Sequence, residues 1–96
     1  MAAYLIGHIA VREPAKWKAY VEGVRATLVP FRGEVVFRGQ RSVVLAGKHD
    51  HDLAVVLRFP DADSLQDWYR SPAYQSIIPN RDEGADLVLV GFDEIS

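Results

Sequence analysis

Four apolar, β-rich runs separated by two stretches of helical periodicity constrain this chain more than any other feature. The first run, Ala3 to Val11, ends at Arg12-Glu13-Pro14, and a proline suits the first turn of a helix. Beyond it Trp17, Tyr20, Val21, Val24 and Leu28 recur at three- and four-residue steps and share one face, whereas Lys16, Lys18, Glu22 and Arg25 fall largely outside that stripe. Pro30 and Gly33 bracket the helix exit. Glu34 to Gly39 (EVVFRG) and Ser42 to Ala46 (SVVLA) read as extended segments around a turn at Gln40-Arg41, either one interrupted strand or a small hairpin. A polar loop, Gly47 to Asp52, leads into Leu53 to Phe59, a short apolar run consistent with a largely buried strand. Asp61 is placed to cap a second amphipathic helix carrying Ala62, Leu65, Trp68 and Tyr69, with Asp63 at the positive end of its dipole. Ser71-Pro72 interrupts that helix and opens a short one bearing Tyr74, Ile77 and Ile78, which Pro79-Asn80 is expected to terminate. Asp86 to Ile95 reads as the last strand.

The order strand, helix, strand, strand, helix, strand is the ferredoxin-like plan of α+β domains, and it predicts a single domain over residues 1–96. Right-handed crossovers place both helices on one face of an antiparallel sheet and leave the other face open. Val36, Val56, Val88 and Val90 would make that open face more apolar than a lone monomer usually exposes. A chain of 96 residues also buries only about two-thirds of its unfolded surface. Both arguments predict a homodimer formed through the open face.

Composition removes several classes of function. A net charge of -2 offers no broad positive field for nucleic acid or anionic lipid, so neither partner is expected. The absence of cysteine excludes disulfides, thiol catalysis and thiolate metal sites, and it fits a reducing, cytoplasmic setting. The opening MAAYLIGHIAVREP has no basic leader, and His8 and Arg12 break its apolar stretch, which argues against a signal peptide. No phosphate-cradling glycine motif and no recognisable catalytic pair of carboxylates is present, and no cofactor is expected.

Strand alternation yields the candidate site. If Val35, Phe37, Leu57 and Phe59 face the helices, Arg38 and Arg58 point to the open face, where His8 joins them from a neighbouring strand. Two adjacent guanidinium groups need an anion between them. One reading is a cleft in which Arg38 and Arg58 grip a small acidic ligand, with His8 and Arg38 as catalytic candidates. The other is a structural ion-pair network with Glu34, Asp86, Asp93 or Glu94.

Trp68, Tyr69 and Tyr74 would either line a pocket for a planar, aromatic ligand or fill the core, and a buried tyrosine hydroxyl needs a partner. Arg81 would close the cleft or pair with Asp82 or Glu83, and Ser71 reads as a helix cap rather than a nucleophile. His49-x-His51 puts two imidazoles on one side of an extended segment, but its spacing matches no zinc motif and no third histidine lies near it in sequence; no metal is expected.

The segment Phe59-Pro60 through Trp68-Tyr69-Arg70-Ser71-Pro72-Ala73-Tyr74-Gln75, with Ala3-Tyr4, Val36-Phe37-Arg38-Gly39, Gly47 and Arg81, closely resembles the bacterial "domain of unknown function 1330" family. The resemblance spans nearly the whole chain and implies a dimeric α+β barrel, in which two ferredoxin-like sheets face each other and ligand clefts lie between sheet and helices. Ala46 and Arg58 depart from the family pattern, which has acidic residues there. Related barrels include cofactor-independent monooxygenases, haem-degrading enzymes, isomerases and ligand-binding modules, and fold alone does not choose among them. The expected function is therefore a homodimeric small-molecule-binding protein, either a cofactor-free enzyme on an acidic or aromatic metabolite or a non-catalytic dimerisation or ligand-sensing module.

Overall fold

The computed structural model describes residues 1–96. Strand β1 (Ala3–Val11) leads into helix α1 (Pro14–Leu28), a 3-10 turn (Val29–Phe31), strands β2 (Glu34–Gln40) and β3 (Leu53–Phe59), helices α2 (Ala62–Arg70), α3 (Pro72–Gln75) and α4 (Ile78–Gly84), and strand β4 (Ala85–Asp93). The four strands form one antiparallel sheet in the order β2-β3-β1-β4. This is the ferredoxin-like arrangement that the element order predicts. No helix is long and apolar enough to cross a membrane.

The core sits between the helices and one face of the sheet. Alternate residues of β1 (Leu5, Gly7, Ile9) are buried there, and Leu5 joins Tyr20, Leu28, Leu57, Phe59, Trp68 and Tyr74 in one cluster. The α1 stripe read from the sequence packs on that cluster through Trp17, Val21 and Val24. Trp68 and Tyr74 are fully enclosed, so the indole N–H needs a partner, and it donates to the Thr27 hydroxyl at 3.0 Å. Asp61 caps α2 by accepting from the Ser64 amide at 2.7 Å, and that hydrogen bond holds its carboxyl below the usual range.

Three local expectations change. Pro79 opens a helix instead of closing one: α4 starts at Ile78, where a proline in the first turn loses no intrahelical bond. Ser42 to Ala46 forms no strand, because pairing between β2 and β3 stops at Gln40 and Leu53, and Arg41 N–H to Asp52 carbonyl (2.6 Å) closes the connection below it. Finally, the β2–β3 ladder runs Glu34–Arg58 and Val35–Leu57, then resumes at Phe37–Val56 and Arg38–Val55. Val36 is the extra residue of a β-bulge, and a one-residue shift exchanges the two faces of everything after it. Phe37 therefore turns to the open face, and Arg38 turns to the helix face.

Helix α1 meets the end of α4 closely enough that a side chain at Gly84 has no room. A Cβ there would stand 2.7 Å from the Trp17 backbone nitrogen, while the Gly84 carbonyl accepts from the amides of Arg12 (2.8 Å) and Glu13 (3.0 Å). Gly23, in the middle of α1, would meet only Ile77 at 3.4 Å. Gly84→Ala is expected to lower stability by about 1–3 kcal/mol, and Gly23→Ala to raise it by about 0.5–1 kcal/mol. Urea unfolding of the two variants checks the contrast, and equal effects would contradict this packing.

Candidate functional site

Between α1 and the sheet lies a cavity of about 470 Å³. Its walls are Leu5, Ile9, Leu57 and Leu89 from the sheet and Trp17, Val21 and Val24 from α1, with Trp68 beside them. The polar groups that reach it are few: Arg25, Arg38, Gln40 and the Tyr20 side chain. Arg38 gets there because of the bulge, since its pairing with Val55 places it on the helix face. Its guanidinium is exposed and makes no salt bridge and no hydrogen bond. A free cation on the rim of an apolar cavity is the arrangement that holds the anionic end of an otherwise greasy molecule.

Behind the cavity, α1, α2, α3 and α4 bring together a hydrogen-bonded group of side chains. The Tyr20 and Tyr74 hydroxyls are 2.8 Å apart and buried. Arg81 Nη1 donates to Tyr74 (3.1 Å) and to Tyr69 (3.0 Å), while its Nε donates to Asp82 (2.9 Å). Burial works against the charge on Arg81, but the bonds to Tyr69, Asp82 and Tyr74 outweigh it and keep the guanidinium fully protonated. Burial pushes the Tyr20 phenol far up, and the neighbouring Tyr74 adds to the effect. Burial also raises Tyr74, although its bonds to Tyr20 and Arg81 pull the other way. On its outer side Arg81 lines a second, polar cleft of about 340 Å³ with Arg12, Tyr69, Asp82 and Asp86.

The open face carries a different set. Arg58 points there as expected, next to Tyr4 and paired with Glu34 at 3.6 Å. The neighbouring Tyr4 hydroxyl first, and then the charges of Glu34 and Glu94, raise the Arg58 guanidinium above its ordinary value against the opposing effect of desolvation. His8 is on this face too, beside Ala54 and Val88. The 41–52 connection folds back over it: the His49 ring meets His8 edge to face at 4.7 Å, and His51 lies 5.9 Å beyond and 3.7 Å from Asp86. The three histidines of the chain thus gather in space although they are apart in sequence, yet no group of three His, Asp or Glu is arranged to hold a metal ion.

The sheet therefore separates the residues that parity had put together. Arg38 does not share a face with Arg58 and His8, so His8 and Arg38 cannot meet one ligand from this chain, and Arg58 has a carboxylate partner of its own. The error came from unbroken alternation through β2; nothing in Glu34-Val35-Val36-Phe37 announces a bulge. Tyr69, Tyr74 and Arg81 do come together, and Trp68 lies on both the core and the cavity wall. Tyr20 went unremarked as anything but a stripe residue. The signal was available, because a tyrosine in an otherwise apolar stripe brings a hydroxyl that must be satisfied.

A ferredoxin-like α+β domain with an apolar, arginine-rimmed cavity between sheet and helix is the class that fold and site define. The chain belongs to the family described as domain of unknown function (DUF1330), which it matches over residues 2–94. Among solved structures it is similar to a protein of unknown function from Rhodopseudomonas palustris, at 17% identity and TM-score 0.85, covering 99% of this chain and 83% of that one. It is also similar to SnoaB, a cofactor-independent oxygenase from Streptomyces nogalater, at 11% identity and TM-score 0.71 over 99% and 94% of the two chains. A third is a dimeric ferredoxin-like protein of unknown function from Bacteroides fragilis, at 11% identity and TM-score 0.66 over 97% and 96%. At these identities the likeness is one of fold. No curated protein matches the sequence.

The raised phenols of Tyr20 and Tyr74 give the fold an alkaline limit. An unfolded tyrosine loses its proton near pH 10, whereas these two keep theirs in the folded state. Above about pH 10 the unfolded chain binds fewer protons than the folded one, so stability falls as pH rises and is unaffected by these groups below it. Absorbance titration at 295 nm should show both phenols silent until the protein unfolds. In Tyr20→Phe, Tyr74→Phe the alkaline loss of stability should shrink; an unchanged slope would contradict the assignment.

Proposed function

We propose that this protein is a homodimeric small-molecule-binding protein, whose ligand is an apolar, aromatic acid lodged between α1 and the sheet with its anionic group on Arg38. The observation that carries the reading is the unpaired Arg38 guanidinium on the wall of a cavity of about 470 Å³ that is otherwise almost wholly apolar. That volume lies within the range of small-ligand sites. Trp17 gives the wall flat aromatic surface, with the enclosed Trp68 beside it. Tyr69, Tyr74 and Arg81 support the site from behind, through Tyr20, instead of touching the ligand.

The SnoaB likeness points to cofactor-free oxygenase chemistry as a second reading, with His8 and Arg38 as its catalytic candidates. The cavity wall, however, presents guanidinium groups, an amide and a phenol and no carboxylate or imidazole. That lining favours binding or sensing of a ligand over base-catalysed turnover within one chain.

The dimer rests on the open face. Phe37, Val88 and Phe92 are about half exposed there, at 54%, 49% and 51%, and Val36 and Val90 extend the same apolar surface. A surface of this kind is usually covered, and the Bacteroides fragilis relative of the same fold is dimeric. A second copy laid face to face covers it.

Two measurements test these proposals. In a thermal-shift assay, 2-naphthoate and fluorene-2-carboxylate should raise the melting temperature of the wild type, and Arg38→Ala should weaken their binding by about tenfold or more. Equal shifts in both proteins would remove Arg38 from the site. In light scattering at low micromolar concentration the wild type should have twice the chain mass, and Val88→Glu, Val90→Glu should have the mass of one chain. A monomeric wild type would refute the dimer.

A further inference from the structure

Little ties the 41–52 connection to the sheet that it folds over. Its apolar residues do not anchor it, since Val43, Val44 and Leu45 are 64%, 41% and 90% exposed. Arg41 bonds the connection to itself, through its amide to the Asp52 carbonyl and its Nη1 to the His49 carbonyl, both at 2.6 Å. The ring and ion contacts that reach the strands are made by imidazoles: His49 meets His8 of β1 edge to face at 4.7 Å, and His51 lies 3.7 Å from Asp86 of β4. His8 Nδ1 is sealed from solvent and has no hydrogen-bond partner. A neutral imidazole carries one hydrogen and can leave that nitrogen bare. The charged ring carries a hydrogen on both nitrogens and would bury a cationic donor without an acceptor. Around His8, β3 presents Ala54, β4 presents Val88, and β2 presents Gly39 under the Phe37 ring. Asp86 stands opposite Ala10, the next open-face residue of β1, and pairs with His51, while Lys48, Asp50 and Asp52 of the connection are exposed. No carboxylate lies within ion-pair distance of His8 or His49.

We propose that the His8–His49 contact is an acid-sensitive latch, which holds the connection on the open face while both rings are neutral and releases it when they take up protons. A proton on each ring puts two like charges one ring contact apart over apolar Ala54 and Val88, where solvent screens them poorly. The released connection avoids both that repulsion and the buried donor on His8, so it binds protons more favourably and acid shifts the population toward it. At the far end the sign is reversed, because a charged His51 is drawn to Asp86. The connection therefore stays tethered at His51 and at the Arg41–Asp52 bond, and residues 42–50 are the part that swings. Histidine changes charge between about pH 5 and pH 8, which sets the range over which the latch works. Release bares His8, Ala54 and Val88 in the middle of the open face, so a second copy would meet an apolar surface at neutral pH and a charged one in acid. The latch goes beyond the ligand reading and does not depend on it.

Nuclear magnetic resonance tests the latch on the full chain, because the ring Hε1 shifts report when each imidazole is protonated and the nuclear Overhauser effects between the rings report whether they touch. At about pH 7.5 the His8 and His49 rings should show these effects, and the amides of Lys48, His49 and Asp50 should have order parameters of about 0.85. At about pH 5, with both Hε1 shifts at their charged positions, the effects between the rings should vanish and the three order parameters should fall below about 0.6. The strand amides of Leu5, Val55 and Leu87 should stay rigid throughout. In His8→Phe, which keeps a ring for His49 and cannot be charged, the connection should remain rigid in acid; loosening equal to that of the wild type would overturn the role of His8. If His8→Phe does not fold, the wild-type rings decide. Contact between them that survives the charging of both, rings that stay neutral at about pH 5, or strands that lose order together with the connection would each overturn the latch.

Discussion

The register of β2 against β3 is the constraint on which the rest of the site depends. Before Val36 the ladder puts Val35 over the core; after it, the same strand puts Arg38 there and sends Phe37 outward. A regular ladder would have moved the guanidinium to the open face, opposite Ala54, the strand partner of His8, and replaced it over the cavity with an aromatic ring. The bulge therefore does two things with a single extra residue: it gives the apolar cavity its cation, and it gives the opposite face an additional phenylalanine. Both proposed surfaces, the ligand cavity and the dimer face, owe their character to this irregularity.

The helices contribute a second kind of constraint, the satisfaction of polar atoms in a small core. Trp68, Tyr74 and Tyr20 are large side chains that fill space cheaply but bring an N–H and two hydroxyls with them. Thr27 answers the indole, and Arg81 answers Tyr74 from a helix that has a proline in its first turn. Packing and polarity are thus solved by the same residues. The tyrosine pair is held in place by a charge that lies outside the cavity wall.

Much of the architecture was legible in the sequence, because it is written in periodicity. The α1 stripe, the Asp61 cap, the alternation of β1 and the order of elements all rest on local spacing, and the sheet order follows from handedness. The candidate site was legible only in part. Tyr69, Tyr74 and Arg81 were named one by one as cleft residues, whereas the hydrogen bonds that join them to one another depend on how α2, α3 and α4 pack. Arg38 was found as a residue but placed on the wrong face, since a bulge depends on how two strands meet and leaves no mark in either alone. Pro79 was misread for the related reason that one proline can close a helix or open the next. His8 was not linked with His49, since β1 and the 41–52 connection meet only after the sheet has formed.

The central position of β1 has a consequence for how the molecule is made. Ala3 pairs with both Phe59 and Asp93, and the Ala2 carbonyl accepts from the Glu94 amide at 2.9 Å, so the two ends of the described chain lie side by side. On the ribosome, β1 emerges first but must wait for β4 before its second ladder can form, and until then its free edge is a place where a neighbouring nascent chain can pair. Joining the ends by a short linker and opening the chain within the 41–52 connection would make the β1–β4 closure local and the β2–β3 ladder the long-range one, while leaving every ladder of the sheet in place.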